Sequence, residues 1–115
     1  MPNPAERFPL ACGGDPTTLG VRVPDVPRLR AVRRPVLQSS ANIAGGPDPC
    51  GLDQVPELIR SAAELVIDGG ALPGVPSTVV DVRRYEQDGE WSVVRPGLVA
   101  EEQLRLAFGG PHGSR

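Results

Sequence analysis

Lysine is absent from this chain of 115 residues, and all 12 of its basic side chains are arginines. No lysine ammonium is therefore available for contact with a phosphate or for proton transfer. The one histidine, His112, lies in a Gly/Pro-rich tail, so the folded part has no Ser-His-Asp or Cys-His catalytic group. The two cysteines, Cys12 and Cys50, stand alone and far apart, which argues against a zinc site.

Long apolar runs and a strong net charge are also missing. No run approaches the roughly 18 residues of a membrane span. The first residues have neither the basic segment nor the apolar core of a signal peptide, so we expect a soluble cytoplasmic protein. The formal net charge of -2 by itself implies no nucleic-acid or membrane partner.

Glycine and proline, by contrast, are abundant at 14 residues each. This richness favours many turns and loops over a helical bundle or a coiled coil. A chain of 115 residues forms one domain at most. We expect a poorly ordered lead-in over residues 1–16, one domain over residues 17–108 and a disordered tail over residues 109–115.

The apolar segments between the glycines and prolines predict an α/β fold with a mixed twisted sheet and flanking helices. The predicted strands cover residues 8–12 (as an edge strand), 17–23, 36–38, 78–82 and 91–94. The predicted helices cover residues 25–34, 53–66 and 100–108, although residues 65–67 can instead begin a strand. Asp88-Gly89 predicts the turn of a hairpin between the last two strands. The fold is too small for a complete doubly wound domain.

Three short blocks of hydroxyl, amide and glycine residues lie beside the apolar segments. They are Thr18 to Pro24, Ser39 to Gly45, and Ser77 to Asp81 with the following Val94 to Gly97. The Ser/Asn loop offers donors and acceptors, and its glycines let backbone N–H groups approach a ligand closely. Ligands gather at the carboxyl ends of strands in α/β sheets, so a polar or anionic ligand fits this loop. The alternative is a turn whose side chains satisfy their own backbone.

Two arginines and one serine are candidates for binding an anion. Arg22, between two valines at a predicted strand end, can form a bidentate clamp on a carboxylate. Ser77 and Arg95 lie together at the far end of the predicted hairpin, which makes a plausible cradle for a phosphate or a carboxylate. The alternative for each is a strand end exposed to water. Asp68 and Asp81 are separated single carboxylates and give only weak support for a magnesium site.

In their order and spacing, these blocks resemble the second half of the YrdC-like domain. The best-known members of that family are threonylcarbamoyl-AMP synthases. The matching motifs are Thr18 to Pro24, Ser40 to Gly45, Asp68 to Gly70, Pro76 to Asp81 and Val93 to Gly97. The resemblance runs from about residue 17 to residue 106 and implies an incomplete YrdC-like domain. The N-terminal half of that domain, with a threonine site and a lysine-containing phosphate-binding stretch, has no match in this chain.

The resemblance implies a nucleotidyltransferase that forms L-threonylcarbamoyladenylate from threonine, bicarbonate and ATP for the modification of adenosine in tRNA. Magnesium would accompany the ATP, and the protein would act by positioning and charge stabilisation without a covalent intermediate. The missing half implies a homodimer or a separately encoded N-terminal half. The implied ATP contacts are Thr18, Ser40, Asn42, Asp48 and Arg95, and the implied threonine contacts are Arg22, Gln38 and Ser77.

Two other functions stay open at this point. YrdC-like domains are associated with double-stranded RNA binding, and the arginines of residues 28–34 are the local support for a non-catalytic nucleotide or RNA binding module. A solvated helix face explains the same arginines. The YrdC-like unit of hydrogenase-maturation or O-carbamoyltransferase proteins uses carbamoyl phosphate, and the lack of attached domains favours the synthase over it.

Overall fold

The computed structural model describes residues 1–109 and contains short helices and one antiparallel sheet. The helices are α1 at Glu57–Ala62, α2 at Tyr85–Asp88 and α3 at Glu101–Phe108, and the strands are β1 at Val79–Asp81 and β2 at Ser92–Arg95. Single 3₁₀ turns lie at Pro9–Ala11, Pro27–Leu29 and Leu52–Gln54. This is a small α/β structure, as the sequence predicts, and within residues 1–109 its sheet has 2 strands.

The chain divides into two compact units. The first joins Met1–Leu37 to the part of the chain that follows Pro76, and the second is Gln38–Pro76. Of the predicted tail, residues 110–115 lie outside the described residues. The predicted domain boundaries stay predictions.

Strands β1 and β2 form the hairpin that the sequence predicts, because their β-branched valines suit a pleated, half-buried surface. The paired residues are Val79 with Arg95, Val80 with Val93, and Asp81 with Ser92. The register therefore skips Val94, and this extra residue bulges the second strand. As a result, Arg95 lies opposite the first residue of β1.

The connection between the two strands is longer than a tight hairpin turn. It contains α2, which ends at Gly89 with a left-handed φ of 75°. A residue with a side chain would be strained there, which explains the glycine at this position. The predicted Asp88-Gly89 turn is thus the C-terminal end of a short helix.

An aromatic cluster joins α3 to the hairpin. Trp91 is 7% exposed, and among residues 1–109 it is the only apolar side chain that is buried. Its ring lies 5.7 Å from that of Phe108, which also packs edge-on against Tyr85 at 5.2 Å. The Tyr85 hydroxyl donates to the Phe108 carbonyl at 3.3 Å, and Trp91 Nε1 donates to the Gly109 carbonyl at 3.3 Å. The C-terminal end of α3 is therefore held by both packing and hydrogen bonds.

Helix α3 confirms the predicted C-terminal helix, whose start differs by one residue. The Gln103 side chain accepts a hydrogen bond from the Ala100 N–H at 3.0 Å, which satisfies a donor at the start of the helix. Leu104 and Phe108 are half-buried, whereas Ala107 is exposed.

Residues 1–18 form a hydrogen-bonded loop around Asn3, a polar residue that is 6% exposed. The Asn3 amide donates to the carbonyls of Arg7 and Pro16, each at 2.9 Å. An isolated antiparallel bridge joins Pro2 to Thr18. The edge strand predicted over residues 8–12 is wrong, because Phe8 has a left-handed φ of 55° and a 3₁₀ turn follows it.

Other predicted elements are shorter than expected or missing from the described residues. The helix at 25–34 is reduced to the 3₁₀ turn at Pro27–Leu29, and the helix at 53–66 is reduced to α1. The strands at 17–23 and 36–38 do not form, apart from the bridge at Thr18. Helices are stabilised mainly by packing of an apolar face, and strands by pairing, and these segments leave most of their large apolar side chains exposed.

The second unit is built from turns around Cys50. The Cys50 N–H donates to the Gln54 side chain at 2.9 Å, and the Cys50 carbonyl accepts from the Leu72 N–H at 2.7 Å. In the predicted helix of this unit, Ile59 is half-buried and Leu58 is exposed. Its local geometry thus depends on turn hydrogen bonds more than on a core.

Candidate functional site

The side chain of Arg95 reaches the start of strand β1. Its Nη2 donates to the Ser77 carbonyl oxygen at 3.1 Å. Arg95 is exposed and Ser77 is half-buried, so the rest of the guanidinium is available beside the serine. A planar guanidinium with free N–H groups suits a phosphate or carboxylate group. The structure thus brings together the two residues that the sequence placed at this end of the hairpin.

Thr78 fixes the backbone beside this pair. Its hydroxyl donates to the Val99 carbonyl at 2.7 Å and accepts from the Val99 N–H at 3.0 Å. These bonds hold the segment after β2 against the start of β1, where Ser77 and Arg95 lie. Sequence reasoning missed this role, although a threonine at a strand end beside a glycine-containing loop was a usable signal.

Thr18, predicted to contact ATP, is held by Asp15. The Thr18 hydroxyl lies 3.3 Å from both the carbonyl oxygen and the Oδ2 of Asp15. The Thr17 hydroxyl donates to Asp15 Oδ1 at 2.6 Å, and this bond is the main reason that the pKa of Asp15 lies below its ordinary value. Arg22 is exposed, and among residues 1–109 it takes part in no ion pair.

In the second unit, the Ser/Asn loop is closed by Asn42. The Asn42 amide donates to the Gly46 carbonyl at 2.8 Å, and the Gly46 N–H donates to the Ile43 carbonyl at 2.8 Å. Gly45 between them has a φ of 80°, which requires glycine's freedom. Asn42 Oδ1 is buried and has no hydrogen-bond partner among the described residues, so it is a free acceptor.

The remaining predicted residues of this loop region are exposed. Gln38 donates from Nε2 to the Ser39 carbonyl at 2.8 Å. Ser40 and Asp48 also face solvent. The predicted site residues are thus divided between the units. Thr18, Arg22, Ser77 and Arg95 belong to the first unit, and Gln38, Ser40, Asn42 and Asp48 belong to the second.

Asp81 forms an ion pair with Arg83. Arg83 donates to its carboxylate from Nε at 3.0 and 2.9 Å and from Nη2 at 2.6 Å. Hydrogen bonds from the Arg83 side chain lower the pKa of Asp81 to about 2. The pair lines a surface depression of about 430 Å³, and Trp91 and Arg84 also line it. Arg84 in turn pairs with Glu90 at 2.9 Å, so the charges of this depression neutralise each other.

A metal site of the protein's own is not supported by these residues. Within residues 1–109, no three His, Cys, Asp or Glu side chains come together. Of the two aspartates that the sequence raised, Asp81 is paired with Arg83, and Asp68 accepts from the Gly70 N–H at 2.8 Å. The carboxylates present therefore do not fit a magnesium site built from protein ligands alone.

Comparison with known proteins identifies the family. The model of the Sua5/YciO/YrdC family, described as telomere recombination, matches residues 1–97. The chain belongs to this family. A Methanocaldococcus jannaschii protein that carries the provisional name threonylcarbamoyl-AMP synthase is 28% identical over 88 residues. No solved structure matches the chain.

This Sua5/YciO/YrdC chain is short compared with that relative. The match covers 75% of the chain but 41% of the relative, so the chain spans about two fifths of its length. Among residues 1–109, no helix has the length and apolar character that crossing a membrane requires.

Proposed function

We propose that this Sua5/YciO/YrdC chain supplies part of the active site of a threonylcarbamoyl-AMP synthase. The observation that carries the proposal is the family match over residues 1–97, together with the name of the matched relative. The reaction would join threonine, bicarbonate and ATP into L-threonylcarbamoyladenylate and release pyrophosphate. The product would serve the modification of adenosine in tRNA.

The proposed roles follow the chemistry of the residues. Arg95 would balance the charge of the ATP phosphates, and its bond to the Ser77 carbonyl at 3.1 Å keeps it near the serine that would contact threonine. Arg22 is exposed and would clamp the threonine carboxylate. Thr18, Ser40, Asn42 and Asp48 would complete the ATP contacts, and Gln38 would contact threonine through its backbone. Rate enhancement would come from positioning and charge stabilisation.

Magnesium enters this proposal with ATP. The aspartates of the described residues do not form a cage for it, so the ATP phosphates would supply most of its ligands. No step of the proposed reaction is assigned to a metal ligand of this chain.

The sheet of the active protein would be larger than the hairpin of β1 and β2. A two-stranded sheet is marginally stable in water, and further strands would extend it into a mixed twisted sheet. The part of the relative that lies outside the match would supply those strands. The chain would then be one part of a complete YrdC-like domain.

Pyrophosphate release from ATP by the purified, folded chain tests the proposal. Release that requires both threonine and bicarbonate would support a synthase. The assay is repeated with the remainder of the M. jannaschii relative added as a second polypeptide. A lack of threonine-dependent release in both assays would contradict the proposal, provided that circular dichroism shows a folded chain.

A second candidate function is a non-catalytic module that binds double-stranded RNA. Arg33 and Arg34 are exposed and, in the part of the chain that the structure describes, belong to no ion pair. RNA binding through such residues releases counterions from the RNA phosphates. This release is less favourable at high salt, so the affinity falls steeply as the salt concentration rises. RNA affinity that is absent, or independent of salt, would remove this candidate.

A further inference from the structure

A side chain continues the pairing of the hairpin beyond the last pair of β1 and β2, which is Val79 with Arg95. Pro96, the next residue along the chain, brings no N–H group for a further backbone bond. Instead, the Thr78 hydroxyl donates to the Val99 carbonyl at 2.7 Å and accepts from the Val99 N–H at 3.0 Å. The loop between the two pairings is therefore closed at both ends.

This closed loop also restrains the acceptor that holds the Arg95 guanidinium. Arg95 Nη2 donates to the Ser77 carbonyl at 3.1 Å, and that carbonyl belongs to the peptide unit between Ser77 and Thr78. The peptide unit is planar, so its carbonyl turns only when a backbone dihedral angle of Ser77 or Thr78 changes. The half-buried Thr78 is restrained against such a change by its two bonds to Val99. The orientation of the guanidinium therefore depends on the Thr78 hydroxyl.

We propose that Thr78 is a positioning residue of the proposed ATP site and that it acts through Arg95. Resting on the proposed function, the bonds of Thr78 to Val99 would hold the guanidinium in place for the ATP phosphates before the nucleotide binds. A free arginine side chain loses rotamer freedom when it binds an anion, and this loss lowers the affinity. An arginine that the Ser77 carbonyl already holds loses less.

The Thr78 hydroxyl itself would not contact ATP. Its proton is donated to the Val99 carbonyl, and its oxygen already accepts from the Val99 N–H. Thr78 is therefore not a catalytic residue, and its removal should affect ATP only through the arginine that it positions.

A double-mutant cycle tests whether Thr78 acts through Arg95. The full chain, Thr78→Val, Arg95→Ala and the double variant are each titrated with ATP by calorimetry. Thr78→Val should raise the Kd for ATP about three- to tenfold. In the Arg95→Ala background the same change should raise it less than about twofold, because the guanidinium that Thr78 positions is gone. Equal effects in both backgrounds, or an unchanged Kd for Thr78→Val, would overturn the proposal.

Two further variants separate positioning from a general loss of stability. Thr78→Ser keeps the hydroxyl and should restore the Kd for ATP to within about twofold of that of the unmodified chain. Phe108→Ala removes contacts with Tyr85 and Trp91 in the same unit, at the other end of the hairpin. It should lower stability but change the Kd for ATP less than about twofold. Equal weakening by Phe108→Ala and Thr78→Val, with both variants folded by circular dichroism, would refute the positioning role.

A measurement without ligand tests the same role independently of ATP. The heteronuclear NOE of the Arg95 Nε–H group reports how freely this side chain moves on the picosecond to nanosecond timescale. It should fall in Thr78→Val and recover in Thr78→Ser. Arg105, which is paired with Glu101 at 2.8 Å, gives the control signal and should not change. An Arg95 signal that is the same in the unmodified chain and in Thr78→Val would overturn the proposal.

The positioning role and the proposed function fail separately. If the unmodified chain does not bind ATP but the NOE of Arg95 falls in Thr78→Val, Thr78 still positions the arginine and the proposed function is contradicted. If Arg95→Ala weakens ATP binding and Thr78→Val does not, the proposed ATP site is supported and the role of Thr78 is refuted.

Discussion

Arg95 and Ser77 are linked by a hydrogen bond of 3.1 Å from the guanidinium to the serine carbonyl oxygen. The bulge at Val94 sets this contact, because the shifted register pairs Arg95 with Val79, two residues after Ser77. The bond uses one N–H group of the arginine and leaves the side chain exposed. The guanidinium is thereby linked to the backbone of Ser77 at one end of the hairpin.

Replacement of this arginine should impair ATP binding. Arg95→Ala removes a charge-assisted contact worth about 1.5–3 kcal/mol, so the Kd for ATP should rise about tenfold or more. Arg105→Ala is the matched control, because Arg105 is paired with Glu101 on α3 at 2.8 Å. Titration calorimetry of both variants makes the comparison. Equal ATP affinity of Arg95→Ala and the unmodified chain would contradict the proposed role.

Removal of the Thr78 hydroxyl should destabilise the hairpin end. Thr78→Val leaves the Val99 N–H and carbonyl without their partner, and we expect the free energy of unfolding to fall by about 1–2 kcal/mol. Thr78→Ser keeps the hydroxyl and should recover most of the loss. Urea unfolding followed by circular dichroism measures both. If the valine and serine variants are equally stable, the two bonds contribute nothing.

The ion pair of Asp81 predicts a defined pH dependence. The pKa of Asp81 is lowered from 3.8 to about 2, so the stabilisation is fully present above pH 3.8 and is lost as the pH falls through about 2. Arg83 is 58% exposed, so solvent screening keeps the contribution of the pair to stability small. Arg83→Ala should therefore lower the free energy of unfolding slightly at pH 6, and this difference should disappear as the pH falls through about 2.

An NMR titration checks the same pair directly. In Arg83→Ala the pKa of Asp81 should return toward 3.8. Arg84→Ala is the control, because Arg84 pairs with Asp88 and Glu90 and not with Asp81. An Asp81 pKa that stays near 2 without Arg83 would show that another group lowers it.

Truncation of Phe108 should release α3 from the hairpin. Phe108 contacts the rings of Tyr85 and Trp91, and Phe108→Ala should lower the free energy of unfolding by about 2–3 kcal/mol. Leu106→Ala on the same helix should change it by less than about 0.5 kcal/mol, because Leu106 is 83% exposed. Thermal unfolding measures both, and similar losses would show that the aromatic cluster does not anchor the helix.

The C-terminal part of the fold was predictable because its signals are local. The β-branched run over residues 78–82, followed by Asp88-Gly89, indicates a hairpin, and the spacing of Leu104 and Phe108 indicates a helix with one buried face. The sequence could not reveal α2 or the bulge at Val94, because both depend on the register in which the two strands pair.

The predictions for residues 17–38 failed for a different reason. Their apolar pattern is real, but a pattern becomes a strand or helix only when its apolar face is covered, and here that face is exposed. The site was predictable in part. The approach of Arg95 to Ser77 followed from the hairpin, whereas the clamp between Thr78 and Val99 required the structure.

The burial of Trp91 also gives this chain a built-in optical probe. It is the one tryptophan of the sequence, and its ring lies within the cluster that joins α3 to the hairpin. Its fluorescence emission therefore reports on this junction alone. A red shift on gentle heating, before ellipticity is lost, would reveal that α3 detaches first and that the hairpin loosens as a separate event.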